Sequence, residues 1–405
     1  MGIDKLRALR GELETVFAVE NDSHSWTDLR ALDMSSTVAQ QMHDRAEHKV
    51  RLAQQNAQVH GRKSEGSNVA FGLYLCGDGV ALDTDATPAN DTLQDLLELC
   101  MGGSASGAGS TAAADCTTTV INVQAGHGTR FAAGKAIMVE GTGPAGENEI
   151  SIIESISTDA LTLKIALSSA PSPDDEVWNS YTAYLDSSAT ATWQFQALHD
   201  DTALIFDLLG AVGRIALANI LGVSDLPRVN FELQVTDWEL NTDDDLSDVV
   251  GTYDGAAPLG TTEGMEVHWQ THGTSERNLI SVSALEVDPG ITWTLHAARG
   301  NGDRQHIQRA VMTGIAPTAT FTADPLAAFW TVFTAKTEKI LAIMFGRTAG
   351  SSWCIEVPRA VMSAVPVPGA HGEQPAQQIT LRAHEDDCGD ATTALMRSSI
   401  RIHRL

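Results

Sequence analysis

Hydrophobic and polar side chains alternate one for one over much of this chain. The pattern recurs in "NVAFGLYL", "TATWQFQAL", "RVNFELQV", "GMEVHWQT", "KILAIMFG" and "QITLRAHE". A period of two sends successive side chains to opposite faces, so these segments predict half-buried β-strands. In "RVNFELQV", Val229, Phe231, Leu233 and Val235 share the inward face, and Asn230, Glu232 and Gln234 share the outward one. In "TWQFQA", Trp193, Phe195 and Ala197 oppose Thr192, Gln194 and Gln196; in "MEVHWQ", Met265, Val267 and Trp269 oppose Glu266, His268 and Gln270. Trp193, Trp269, Trp293 and Trp330 are expected as core anchors. The closing "SSIRIHRL" alternates Ile400 and Ile402 with Arg401 and His403, followed by Arg404. Terminal residues fray unless a sheet holds them, so this strand is expected to be tied into one.

Helix signals are few. "NDTLQDLLELCMGG" offers Asp91 as N-cap, puts Leu93, Leu96, Leu97 and Cys100 on one face, and stops at Gly102. "TADPLAAFWTVFTAK" repeats the design, with Asp324 as N-cap, Pro325 at the first helical position and Leu326, Phe329, Trp330 and Phe333 on one face. The fold class expected is mainly β, a β-sandwich or barrel with one short helix in each half. The order of elements suggests an internal duplication. A strand near 69–75 and a helix at 91–101 precede strands near 191–198, 204–209 and 228–236. A strand at 317–322 and a helix at 325–335 likewise precede strands near 339–345, 353–362, 377–384 and 398–405.

The first half is interrupted. "GGSASGAGSTAAAD" (102–115) has the composition of a flexible linker, and five short strands follow it. They are enough for a small all-β module. The expected division is an N-terminal arm and first strand at 1–66, a first repeated domain at 67–110 and 181–255, the inserted module at 114–180, and a second repeated domain at 256–405. Few contacts are expected to cross the module's boundary, which would make it removable.

The chain has 405 residues, 43% of them hydrophobic, as a packed globular protein requires. A net charge of −26 argues against a basic face for nucleic acid and against docking on anionic membranes. Five scattered cysteines, none in a CxxC pair, read as reduced thiols of a protein made in the cytoplasm. The N-terminus has no apolar signal region, and no apolar run is long enough to span a bilayer.

Chemistry-bearing motifs are weak. "NTDDDLSD" (241–248) opens like a calcium loop, but Leu246 and Thr252 stand where the turn glycine and bidentate glutamate belong. "ALHDDTAL" groups His199, Asp200 and Asp201, and "HEDDCGD" groups His384, Asp386, Asp387 and Cys388. Neither has a second cluster spaced to complete a metal site. The glycine-rich stretch lacks a GK[ST] ending, and G-x-S-x-G and HExxH are absent. No catalytic, metal or cofactor-binding residue is assigned, and the protein is not expected to be an enzyme. The amide-rich strand faces fit either the solvent side of an antiparallel sheet or the wall of a water-filled pore. From His199 to Asp248 there are eleven carboxylates against two arginines.

Three passages together resemble the tail tube (major tail) proteins of long-tailed bacteriophages. They are "SNVAFGLYLCGDG" with "LQDLLELC", the stretch "ATWQFQALHDD…RVNFELQVTDWE" with its Gly210-x-x-Gly213 turn, and the ending "WCIEVPRAVMSAVP…ITLRAHEDDCG…SSIRIHRL" with Pro358, Arg359 and Ala360. The inserted module is similar to small β-modules found in phage tail subunits. The resemblance implies a structural virion protein, assembled in the host cytoplasm, that stacks in rings around a tape-measure protein and meets terminator or adaptor proteins at the tube's ends. DNA would later pass through the lumen without specific binding. A duplicated chain would need three copies for a pseudo-hexameric ring, and an unduplicated one six. On this reading Gln194, Gln196, Asn230, Glu232 and Gln234 face the lumen. Ile400, Arg401, Ile402, His403 and Arg404 form a strand that continues the sheet into the next subunit. The alternatives are another phage tail or adhesion β-protein, such as a receptor- or sugar-binding module, and a metal-dependent hydrolase built on one of the His/Asp groups.

Overall fold

The computed structural model describes residues 6–14, 26–29, 31–37, 42–44, 58–60, 67–75, 92–187, 192–199, 204–217, 227–241, 265–297, 307–371, 374–386 and 393–405. The chain is mainly β. It opens with β1 (Leu6–Leu13), β2 (Thr27–Asp28), β3 (Leu32–Thr37), β4 (Met42–Asp44), β5 (Gln58–His60), β6 (Asn68–Tyr74) and helix α1 (Thr92–Met101). An insertion carries β7 (Gly102–Ala105), β8 (Ser110–Thr111), β9 (Val120–Asn122), β10 (Ala136–Val139), β11 (Glu149–Ser157), β12 (Ala160–Leu163), β13 (Glu176–Asn179) and β14 (Tyr181–Leu185). Strands β15 (Trp193–His199), β16 (Leu204–Ala216), β17 (Arg228–Gln234) and β18 (Asp237–Asn241) complete the first half. The second half has β19 (Glu266–Thr271), β20 (Val282–Asp288), β21 (Ile291–Ala297), β22 (Ile307–Ile315), β23 (Thr318–Ala323) and helix α2 (Ala327–Ala335). It ends with β24 (Lys339–Phe345), β25 (Trp353–Met362), β26 (Val367–His371), β27 (Gln374–Ala383), the short α3 (Ala394–Arg397) and β28 (Arg401–Arg404).

The two halves share one topology. The first sheet runs β1-β15-β16-β17-β6-β3, with β18 also on β16. The second sheet contains the path β19-β24-β25-β27-β23-β20, with β28 also on β25. Every one of these pairings is antiparallel. Leaving aside β2, the inserted β7–β14 and β26, each half supplies in chain order two strands, a hairpin (β4–β5 or β21–β22), a strand, a helix and four more strands. Even the irregularities coincide. β16 gains one residue on β15 between Leu208 and Ala211, and β25 gains one on β24 between Val357 and Ala360. Bulges bend a strand at a fixed place, so a matched pair of them is a strong sign of duplication.

The expected amphipathic faces are partly realised. Leu93, Leu96, Leu97 and Cys100 of α1 are all buried, but so are Leu99 and Met101, because the helix has β16 on one side and β7 and β14 on another. Asp91, its expected cap, lies outside the described residues. α2 starts later than expected, at Ala327, with the extended Leu326 as an N-cap that makes no side-chain bond. Asp324 and Pro325 precede it. Phe329 is its one buried residue, and Trp330 is 54% exposed rather than a core anchor.

Strands β8-β13-β10-β11-β12-β9 form the inserted module, from Ser110 to Asn179, close to the expected 114–180. It has its own apolar core of Ile121, Phe131, Ile137, Ile153, Leu161 and Val177, among others. The glycine-rich stretch before it is ordered structure. β7 pairs with β14, and a Cβ on Gly103 would fall 2.5 Å from the ring of Tyr184. One on Gly107 would fall 2.4 Å from the carbonyl oxygen of Arg130. Small residues are needed here for close packing, so their composition mimics a flexible linker. The module's boundary is also densely bonded. Ala136, Met138, Ile150 and Ile152 share a core with Met344, Cys354 and Leu405 of the second half. Gln270 Nε2 donates to the carbonyl oxygen of Lys164 at 2.6 Å, and Ser275 Oγ to that of Leu163 at 2.9 Å. Clean excision of the module is therefore no longer expected.

The closing strand corrects a second expectation. β28 is an interior strand, with β14 along one edge and β25 along the other. Both edges are occupied by this chain, so Ile400, Arg401, Ile402, His403 and Arg404 do not extend a sheet into another subunit. All five are buried.

Candidate functional site

Two surfaces carry the polar chemistry of the fold. The first is the outward face of β17, where Glu232 and Gln234 are exposed and Asn230 is half-buried, as the alternation requires. Asn68 and Ala70 of β6 and Arg214 of β16 lie beside them in register. Glu232 accepts from Arg214 Nε at 2.8 Å and Nη2 at 2.5 Å, an ion pair with both partners more than half exposed. Water screens such a pair, so it offsets the local negative charge while adding little stability.

Gln194 and Gln196 do not belong to this wet face. Both are buried. Gln194 Nε2 donates to Glu12 Oε1, and Gln196 Oε1 accepts from Arg10 Nε at 2.5 Å, so β1 satisfies the amides of β15 inside the fold. His268 and Gln270 are buried too, since the module lies over β19. A strand's polar side is wet only where nothing docks on it. Sequence reading missed the counterpart of the β17 face on the second half. Gln378 and Arg382 of β27 are exposed and Thr380 half-buried, beside Thr318, Thr320 and Thr322 of β23. The alternating threonines in "TATFT" were the available signal.

The second surface is internal. Where the module meets the second half, Lys164 Nζ donates to Asp386 Oδ2 at 2.6 Å and to Glu356 Oε1 at 3.0 Å. Arg401 donates from Nη2 to Asp386 Oδ2 at 2.8 Å and from Nη1 to Glu356 Oε2 at 2.7 Å. Two cations and two anions thus form a closed square whose side chains are at most 1% exposed. Burial pushes the carboxyl groups of Glu356 and Asp386 up, but the cationic partners outweigh it and hold both well below the ordinary range. His272 adds a contact to Asp386 Oδ1 at 3.3 Å.

Beside this square lies an uncompensated group. Lys135 is 1% exposed, and its Nζ has no hydrogen-bond partner among the described residues. Burial lowers its pKa from 10.5 to about 7. His403, which receives the Ala136 N–H at 3.3 Å on Nδ1, is likewise pushed down by burial and stays neutral. A lysine whose folded pKa is depressed binds fewer protons folded than unfolded between those two values. Stability should therefore rise as pH climbs from about 7 towards 10.5. Lys135→Met should raise the melting temperature near neutral pH and flatten that rise, a result thermal melts across the range would register.

Among the described residues no three or more His, Cys, Asp or Glu side chains are placed to hold a metal ion. His384 is exposed and stands apart from Asp386, which is committed to the square. Asp200, Asp201 and Asp387, and the acidic stretch from 242 to 248, lie outside the described residues. Among the described residues no helix is long and apolar enough to cross a membrane. No family model matches the chain, and no curated protein matches it.

Proposed function

We propose that this chain is a structural subunit that self-associates into stacked rings, forming the tube of a phage tail around a passage for DNA. The observation that carries the reading is the duplication: two copies of one sheet, hairpin and helix topology, each with an exposed polar strand face. Three chains would supply six equivalent units, the arithmetic of a pseudo-sixfold ring. The faces of β17 and β27 suit a lumen wall, being rich in amides and hydroxyls, with their few charges of mixed sign. A duplex sliding past such a wall meets few fixed cations and releases few counterions, so it is not retained. A tape-measure protein would occupy the passage before DNA, and terminator proteins would close the ends.

Negative-stain microscopy of the purified protein tests this directly. Rings or tubes with a central hole are expected, and a monomer at every concentration by light scattering would overturn the reading. The lumen assignment has its own test. Asn230→Lys, Glu232→Lys and Gln234→Lys together should leave folding unchanged, because the core face of β17 is untouched. Tubes of this variant should bind duplex DNA at low salt and release it at high salt. Tubes that ignore DNA would put these residues on another face.

A further inference from the structure

Within the chain, the helix of the first repeat is covered by the sheet of the second. Helix α1 has β16 on one side and β14 and β7 on the other. Tyr181 Oη of β14 donates to the carbonyl oxygen of Gln94 at 3.0 Å, and Asp186 N, just past β14, donates to that of Met101 at 2.8 Å. β14 and β7 belong to the second sheet, which at this end runs β25-β28-β14-β7. Under this cover the whole apolar stripe of α1 is buried: Leu93, Leu96, Leu97 and Cys100.

Helix α2 repeats the stripe without the cover. Leu326, Phe329, Trp330 and Phe333 keep the spacing of Leu93, Leu96, Leu97 and Cys100. α2 rests on β25, the counterpart of β16. Phe329, in the place of Leu96, is buried edge-on to Phe321. Trp330, in the place of Leu97, is 54% exposed, and Leu326, in the place of Leu93, is 45% exposed. The rings of Trp330 and Phe333 lie 6.0 Å apart between centroids, so the outer side of the helix presents a continuous apolar surface. Clustered exposure of this kind marks an interaction site more often than scattered exposure does.

The duplication also identifies the counterpart of the covering sheet. Leu208 and Val357 each stand just before the matched bulges. Two residues earlier, Phe206 lies opposite Leu240 of β18, and Ile355 lies opposite Ile402 of β28. β18 therefore stands in the first repeat where β28 stands in the second. Ile402 is fully buried, with β14 next to it in the sheet, whereas Leu240 is 49% exposed. The counterparts of both sides of the internal junction are thus exposed on the same chain. Their charges are complementary as well. α2 has no acidic residue and ends on the exposed Lys336, while β18 carries Asp237 and the exposed Glu239 and no basic residue.

We propose that the exposed face of α2, Trp330 and Leu326 above all, docks against Leu240 on the β18 flank of a second copy, with Lys336 beside Glu239. This renews between chains the junction that α1 makes with the second sheet inside one. Trp330 and Phe333 are larger than the Leu97 and Cys100 whose places they take, so they reach further from the helix, towards the room that β7 and β14 fill beside α1. One copy offers its helix and the next its strand. The contact is therefore heterologous, and it propagates until the rotation closes a ring or continues as a filament. The inference rests on the self-association proposed above and locates the surface that carries it.

Two variants test it in the full chain. Trp330→Glu removes the helix side, and Leu240→Glu removes the strand side. Neither side chain is buried, so each variant should melt near the wild type and sediment as a monomer at concentrations where the wild type assembles. Mixed in equal amounts, they should form a one-to-one dimer and nothing larger, because each retains the side the other lacks. Should either fail to fold, cysteines give a second readout. Mixing Trp330→Cys with Leu240→Cys should yield a disulfide-linked dimer that neither forms alone and that reductant releases. Folded variants that assemble as the wild type does, a mixture that stays monomeric, or an absent cross-link would overturn the proposal and leave the tube reading to other surfaces. Assembly lost in Trp330→Glu but kept in Leu240→Glu would mean that α2 meets another occupant, and would overturn it too. Assemblies that obey the pairing but enclose no channel would leave it standing and overturn the tube reading.

Discussion

Deleting residues 399–405 should leave a protein that cannot close its second sheet and is recovered aggregated or without a cooperative melt. β28 is bonded along both edges, with Ile402 in register with Ala183 of β14 and Ile355 of β25. Ile400 and Ile402 are fully buried, and each is worth about 1.5–3 kcal/mol of transfer free energy. The same deletion unpairs Leu405 from Ser352, whose backbones exchange hydrogen bonds at 2.8 and 3.1 Å. It also removes Arg401 and leaves two buried carboxylates sharing Lys164. These losses together are comparable with the whole stability of a typical domain, roughly 5–15 kcal/mol. A truncated protein with an unchanged melting curve would show β28 to be dispensable.

Lys164→Met should cost about 3–5 kcal/mol, the usual consequence of removing one partner from a buried charge group. Glu356 and Asp386 would then share Arg401 alone, four side chains' balance reduced to one cation against two anions. The pH profile gives the sign. Carboxyl groups held below their ordinary values stabilise the fold above the ordinary range and lose that contribution as pH falls through the folded values. The wild type should therefore lose stability steadily as acid is added below about pH 4.5, the ordinary value of Glu356. The variant, already weakened at neutral pH, should show a shallower acid dependence. Parallel profiles displaced by a constant would mean that Lys164 does not set these pKa values.

Much of the fold was legible because burying one sheet face imposes a period of two on the sequence, as in β17, where Val229, Phe231 and Leu233 lie inside. The duplication could be read from element order, since helices interrupt the strands at matching places. What failed has a common cause. Periodicity records which face of a strand is apolar, and not what later docks on the polar face. Gln194 and Gln270 look wet by pattern and are buried because β1 and the module bring polar partners to them, and His268 is buried against Glu266 of its own strand. Lone charges usually lie outside, and no local signal announces that Lys164 and Arg401 are buried with Glu356 and Asp386 as partners. The lysine inside "LTLKIAL" was the nearest hint. Gly103 was misread because a residue chosen to let Tyr184 approach looks the same as one chosen for freedom.

The module interrupts one repeat only. A subunit with a single tube unit would carry any such insertion at every position around a ring, and neighbouring insertions would compete for the same arc of circumference. In the ring proposed above, fusing two units and decorating one would halve the density of attachments while the underlying lattice kept its spacing. Each module would then have an undecorated unit on either side, and its size could change over generations without the ring's geometry having to change with it.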